Sequence, residues 1–175
     1  ALTLHPYLGS DSVEPFLKWC PPERGGRGVF VLVRTSNPGA KDFQDLRIGD
    51  EPLCDTVAKA VNQWGSQLPQ VHGYHAVGAV VGATWPDELA RLRKLLPNSW
   101  LLLPGVGAQG GKVEDLAAAF DERGLGALVN QSRGVLQRFA PAQADWLDRI
   151  DQACATFAAE CRAVAVPHRA EPEKS

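Results

Sequence analysis

Hydrophobic positions along this chain fall into two alternating rhythms. Short, largely apolar runs occupy residues 1–4, 29–33, 76–82, 100–103 and 127–129, and the run 29–33 is unbroken. Runs this short, rich in β-branched residues, read as strands, the first from Ala1 to Leu4 and 29–33 as one buried on both faces. Between them, apolar residues recur at helical spacing. Val13, Phe16, Leu17 and Cys20 make one stripe, with Gly9, Ser10 and Asp11 as capping candidates and Pro21-Pro22 as its stop. Leu53, Val57, Val61 and Trp64 make a second. Leu89, Leu92, Leu95 and Leu96 make a third, with Pro86 near its first turn, where a missing N–H costs nothing. Residues 113–123 predict a fourth helix with Leu116, Ala117 and Phe120 inward, broken by Gly124 and Gly126. Residues 141–163 predict the last, with Leu147, Ile150, Cys154, Phe157 and Cys161 as its stripe. The polar stretch 167–175 reads as a frayed tail.

Strictly alternating strands and helices imply an α/β fold with a parallel sheet. Each strand then ends in polar or glycine residues: His5, Ser36, Thr84, a glycine loop, and Ser132-Arg133. A (β/α)8 barrel carries its site at that rim. Five strands do not close a barrel, so the chain is either a small open sheet or strands 4–8 of a TIM barrel whose first three units lie elsewhere. On the barrel reading, residues 1–166 are expected to form its C-terminal part. The chain has no methionine, and its first strand starts at once, at Ala1. Both features suggest a piece of a longer chain.

Composition narrows the class. With 175 residues, 45% hydrophobic and 22% charged, this is an ordinary globular chain. A net charge of −2 leaves no footprint for nucleic acid or an anionic membrane. No apolar run approaches a membrane span, and no signal peptide opens the chain. Cys20, Cys54, Cys154 and Cys161 form no C-x-x-C pair and read as reduced, buried thiols, which suits a cytoplasmic location.

The chemistry concentrates in W-L-L-L-P-G-V-G-A-Q-G-G at residues 100–111. Pro104 ends the strand, and Gly105, Gly107, Gly110 and Gly111 follow around Gln109. Glycines after a strand let the backbone close on a phosphate. Gly105, Gly107 and Gly110 also match the dinucleotide pattern G-x-G-x-x-G. That pattern normally follows a first strand and is answered by an acid about 20 residues on. Here it follows the fourth strand, and the next one ends in Asn130. Arg133, flanked by Ser132 and Gly134, can grip a phosphate by its guanidinium fork; alone it would read as a surface arginine. Loops after strands 7 and 8 are the usual phosphate site of (β/α)8 barrels, and that count makes the first strand here number 4. Ser36, in R-T-S-N-P-G, could read a ring edge or simply cap an Asn-Pro-Gly turn. His5 could serve the site or be structural. His72 and His75 fall in a loop before the third strand without a third ligand, so no metal site is expected. Asp148 and Asp151 read as a solvated helix face, and Trp64, Trp100 and Trp146 as packing.

Several segments together resemble one family. They are V-L-V-R-T-S-N-P-G-A-K-D-F-Q-D-L (31–46), V-G-A-T-W-P-D-E-L (81–89), L-L-L-P-G-V-G-A-Q-G-G (101–111) and V-N-Q-S-R-G (129–134), with L-T-L-H-P-Y-L-G (2–9) also fitting. The chain resembles orotidine 5′-phosphate decarboxylase, in its bacterial T-S-N-P-G-A branch, over nearly all its length to about Arg138. The resemblance implies a (β/α)8 barrel, usually a homodimer with sites at the subunit interface. It implies conversion of orotidine 5′-phosphate to UMP and CO2, in pyrimidine biosynthesis, without a cofactor. By motif, Ser36 would bond the pyrimidine edge, the loop from Pro104 through Gly105, Gly107 and Gly110 would close on substrate, and Val106 would wall the ring. Gln109 would bridge to the phosphate, with Ser132 and Arg133 holding it from the other side. One departure is decisive. The family's Lys and Asp residues sit in D-x-K-x-x-D on strand 3, yet none of this chain's eleven aspartates is followed two positions later by lysine. The resemblance places that motif just upstream of Ala1, so no catalytic residue is expected within the chain. The chain alone is therefore expected to be inactive, and the open sheet edge at Ala1 to Leu4 to pair with a partner or aggregate. A non-catalytic nucleotide-monophosphate-binding module and a barrel enzyme acting on a phosphosugar remain as alternatives.

Overall fold

A computed structural model describes residues 1–107, 109–137 and 144–166. The five predicted strands are all present: β1 (Leu2–Leu4), β2 (Val29–Arg34), β6 (Tyr74–Val81), β7 (Ser99–Leu103) and β8 (Ala127–Val129). They lie parallel in the order β1-β2-β6-β7-β8. The first strand is one residue shorter than expected. Ala1 is exposed and lies outside it, because pairing with β2 begins at Leu2, opposite Val29, where Leu2 N–H donates to Gly28 O at 3.0 Å. Three two-residue strands were not foreseen. β3 (Arg47–Ile48) and β4 (Glu51–Pro52) form a hairpin, and β5 (Gln70–Val71) runs antiparallel on β6. Two-residue pieces are too short for any period to announce them.

One face of the sheet carries the core. Val29, Val31, Val33, Val77, Ala79, Val81, Leu101 and Leu103 point to it from alternate strand positions. The helices α2 (Leu53–Ser66) and α3 (Pro86–Leu95) cover that face with Cys54, Ala58, Val61, Leu89 and Leu92, joined by Leu96 just past α3. The smaller α1 (Ser10–Leu17) buries Val13 alone. Parallel strands with helical crossovers make this an α/β fold, part of a TIM barrel comprising five of its strands, with every strand end on one edge.

Two helices differ from their prediction. Residues 113–123 form a 3₁₀ run, Val113–Ala119, whose Val113, Leu116 and Ala119 are buried. Their spacing of three is the 3₁₀ period, so Ala117 faces out, and Phe120 turns extended before the glycines. The last helix, α5 (Trp146–Ala165), follows the short α4 (Arg133–Leu136), and the expected start at Pro141 lies outside the described residues. Only Phe157, Cys161 and Val164 of α5 pack on the main core. Leu147 is exposed and so is Cys154, because the core touches just one edge of the apolar stripe. Cys20 and Cys54 are buried as expected, and all four thiols are free. His75 is no loop residue: it lies within β6, buried beneath Gly65.

Candidate binding site at the carboxyl edge of the sheet

The glycine loop folds back on itself. Gly105, Gly107 and Gly110 have φ of +105°, +77° and +94°, a region costly for any residue with a Cβ. Gly111 N–H donates to Gly105 O at 3.1 Å, Gly107 N–H to Gly111 O at 2.8 Å, and Gly110 N–H to Gly107 O at 2.8 Å. Val106 bridges to Gly111 and is buried, so its side chain anchors the loop to the core. Ala83 N–H donates to Pro104 O at 2.8 Å and stitches the loop's start to the end of β6. The loop leads into the 3₁₀ run rather than an α-helix, which separates it from a dinucleotide fingerprint.

Ser36 reaches this loop from β2. Its hydroxyl donates to Gln109 Oε1 at 2.7 Å. Two glycines permit the approach: a Cβ on Gly82 would lie 2.8 Å from Ser36 N, and one on Gly105 would lie 2.9 Å from Ser36 Cβ. Ser36 and Gln109 share a cleft of about 400 Å³ with Pro38, Lys41, Thr84 and Trp85. The Lys41 ammonium stands 4.9 Å from the centre of the Trp85 ring, and no carboxylate pairs with it among the described residues. A cation parked on a π-face can move to an incoming anion at small cost.

Behind Ser36 lies a buried charge that sequence reasoning missed. Arg34 is fully buried and pairs with Glu88 at 2.6 Å and Asp45 at 3.1 Å. Burial works to lower its pKa, but the Glu88 hydrogen bond and the charges of Glu88 and Asp45 outweigh it and raise the value. An arginine closing a valine strand is the only sequence signal, and it names no partner, because Glu88 is 54 positions away.

On the other flank, Ser132 and Arg133 are exposed at the start of α4. Neither side chain bonds to the glycine loop among the described residues. Gln131 is the residue that joins the two loops. Its amide would lie 2.5 Å from a Cβ on Gly107 and 2.2 Å from one on Gly134, so it fills the space between them. In the sequence Gln131 stands only as part of N-Q-S-R-G, with no local signal of this role. The structure thus joins Ser36, Gly105 and Gln109, places Gln131 against Gly107, and leaves Arg133 open to solvent. His5 is exposed, with Nδ1 accepting the Tyr7 N–H at 3.1 Å, a local structural bond. Ala1 is no part of this site. It precedes β1 at the amino edge of the sheet, where a Cβ on Gly28 would lie 3.9 Å from its own, and the glycine loop stands at the opposite, carboxyl edge. Among the described residues, no three His, Cys, Asp or Glu side chains could hold a metal ion, and no helix is long and apolar enough to cross a membrane.

Comparison with known proteins places this geometry in a family. A family model described as "Orotidine 5'-phosphate decarboxylase / HUMPS family" matches residues 1–144. The chain is 48% identical over 139 residues to the orotidine 5′-phosphate decarboxylase of Caldicellulosiruptor bescii, covering 79% of this chain and 45% of that protein. It is 45% identical over 157 residues to that of Rhodopirellula baltica, covering 86% and 51%. The structure of Leishmania donovani OMP decarboxylase superposes with a TM-score of 0.70 at 37% identity, over 92% of this chain and 57% of that one. The chain spans about half the length of the curated relatives it matches.

Proposed function

This chain belongs to the orotidine 5′-phosphate decarboxylase / HUMPS family, and we propose that it supplies the phosphate- and pyrimidine-binding part of an enzyme converting orotidine 5′-phosphate to UMP and CO2. The observation that carries the reading is the 2.7 Å bond from Ser36 to Gln109. It joins the strand end that would read the base to the loop that would hold the phosphate. In this role Ser36 bonds the pyrimidine edge, and Gln109 turns its amide N–H groups to the phosphate. Gly105, Gly107 and Gly110 let the backbone of the loop from Pro104 close over it, and Val106 walls the ring. Ser132 and Arg133 meet the phosphate from the other side, toward which the exposed guanidinium can turn.

Grip on a remote phosphate is what drives a mobile loop shut, and binding energy spent there lowers the barrier elsewhere. The bond that breaks joins C6 to the carboxylate; its electron pair stays on C6 until a lysine ammonium protonates it. The sequence from Ala1 to Ser175 has no D-x-K-x-x-D to supply that lysine. The purified chain is therefore predicted to bind UMP and to release no CO2 from orotidine 5′-phosphate. Residues 1–166 would act as one unit, and the complete protein as a homodimer. Exposed Tyr7, Leu8, Phe43 and Leu46, on loops beyond neighbouring β1 and β2, and Ile48 on β3 supply apolar surface for such an interface.

Isothermal titration with UMP and ribose 5-phosphate tests the reading. Arg133→Gln should weaken both ligands by roughly tenfold or more, since a charge-assisted bond is lost. Ser36→Ala should weaken UMP alone. Binding of phosphosugars with no preference for UMP would instead favour a sugar-phosphate barrel, and turnover by the purified chain would overturn the predicted inactivity.

A further inference from the structure

Arg34 stands two positions before Ser36, yet its side chain is turned away from the rim and buried. The pairing of β2 with β6 explains how. Leu32 faces Val80 and Arg34 faces Val81, so β2 carries one extra residue at this point. Such a bulge re-aims the next side chain, here into the helix-covered face beside Val81. There its Nε donates to Glu88 Oε2 at 2.6 Å and its Nη2 to Asp45 Oδ2 at 3.4 Å. Its Nη1 donates to Gln44 Oε1 at 3.4 Å. That same oxygen accepts the Thr35 N–H at 2.9 Å, and Gln44 Nε2 donates to Thr35 Oγ1 at 2.9 Å. Thr35 Oγ1 in turn donates to Asn37 Oδ1 at 2.6 Å. Ser36 is thus bracketed: both of its chain neighbours are tied, through Gln44, to one buried guanidinium. The guanidinium also stacks 4.9 Å from the ring centre of Trp85, a wall of the cleft.

A buried ion pair is weak evidence for stability, because desolvating both charges offsets most of their attraction. What such a pair does well is fix geometry, since a bidentate guanidinium tolerates few arrangements. We propose that Arg34, held by Glu88 and working through Gln44, is a positioning residue that sets the Ser36 hydroxyl for the base, and thereby sets the preference for a pyrimidine nucleotide over a bare phosphosugar. The proposal rests on the reading in which Ser36 meets the base; it adds the device that aims it and extends the specificity apparatus to α3.

The test is calorimetric titration of UMP and of ribose 5-phosphate into the 175-residue chain and three variants. Gln44→Leu cuts the link to Thr35 while leaving the Arg34–Glu88 and Arg34–Asp45 pairs in place. Glu88→Gln keeps the shape and loosens the guanidinium. Both should weaken UMP on the order of tenfold, the effect of one misdirected hydrogen bond, and leave ribose 5-phosphate unchanged. Gln44→Glu, which keeps the acceptor between Arg34 and the Thr35 N–H but loses the donor to Thr35 Oγ1, should weaken UMP less than Gln44→Leu does. Equal weakening of both ligands, or no weakening of UMP, overturns the proposal and leaves Ser36 as the base reader. Failure of the wild-type chain to prefer UMP is a different result: it removes the base-reading role of Ser36 itself, and the proposal with it.

Discussion

Gly105 and Gly110 share a left-handed backbone but differ in what a side chain would meet. At Gly110 a Cβ finds nothing within 4 Å, so Gly110→Ala adds backbone strain alone, about 1 kcal/mol. At Gly105 the same atom would sit 2.9 Å from Ser36 Cβ and 3.0 Å from Gln109 Oε1. Gly105→Ala should therefore cost about 2–3 kcal/mol, strain plus overpacking, and break the Ser36–Gln109 bond as well. Urea unfolding of the two variants checks the order; equal losses would mean that the loop does not rest on Ser36 as described. The glycines, Gln109, Ser36 and Arg133 were legible in the sequence because their demands are local: a positive φ, a turn after proline, a cation after a strand. Arg34, Lys41 and Gln131 were not. What each does depends on a partner far along the chain, such as Glu88 for Arg34 or Gly107 for Gln131, and no periodicity encodes such a meeting.

Whole elements were easier to read where burial sets their period, and harder where a turn does. The strands 29–33, 76–82, 100–103 and 127–129 are apolar on both faces, which leaves few alternatives. The stretch 113–123 has helix-forming alanines, yet it ends after two turns of 3₁₀ because a tight turn must deliver the chain to β8. Asp121 organises that turn. Its Oδ1 accepts the N–H groups of Arg123 at 2.9 Å and Leu125 at 2.8 Å, while Oδ2 accepts Arg123 Nη2 at 2.7 Å and the Tyr74 hydroxyl at 3.1 Å. Desolvation works to raise its pKa, but these donors outweigh it and hold the value near 2, below the ordinary 3.8. A depressed carboxylate stabilises the fold above its unfolded pKa and loses that contribution as pH falls through the folded one. The expected window is therefore from about pH 4 down to about 2. Urea midpoints measured across it should fall more steeply for the wild type than for Asp121→Asn, which should already be weaker at pH 7. Parallel curves would show that the turn gains nothing from the ionised form.

At the scale of the molecule, the sheet has a second face that the sequence signalled only as strands apolar throughout. Alternation puts Phe30, Leu32, Gly78, Val80, Trp100, Leu102 and Leu128 opposite the helices. Phe30 lies across Gly78, where a Cβ would come within 2.5 Å of its ring, and Trp100 packs on Tyr74 with ring centres 4.8 Å apart. The result is a concavity of about 550 Å³, larger and far more apolar than the cleft at the rim, lined by Phe30, Gly78, Trp100 and Leu128. Leu128 is 47% exposed within it. It lies toward the amino ends of the strands, away from Ser36 and Gln109, so it is not a second view of the candidate site. Its chemistry is that of barrel interior, where inward side chains stack in layers. Two results should follow. The isolated chain should bind an apolar dye such as anilinonaphthalene sulfonate while keeping its native far-ultraviolet dichroism, because an ordered sheet presents greasy surface. On the proposed function, mixing it with the part of the Caldicellulosiruptor bescii protein that its match does not cover should quench the dye and yield decarboxylation, because the D-x-K-x-x-D segment that this chain lacks is expected there. Turnover without dye displacement would show the site completed at the rim alone; dye displacement without turnover would show the sheet covered but the charged residues misplaced. A chain that binds no dye has its inner face already sealed, and the partial-barrel account of that face would have to be abandoned.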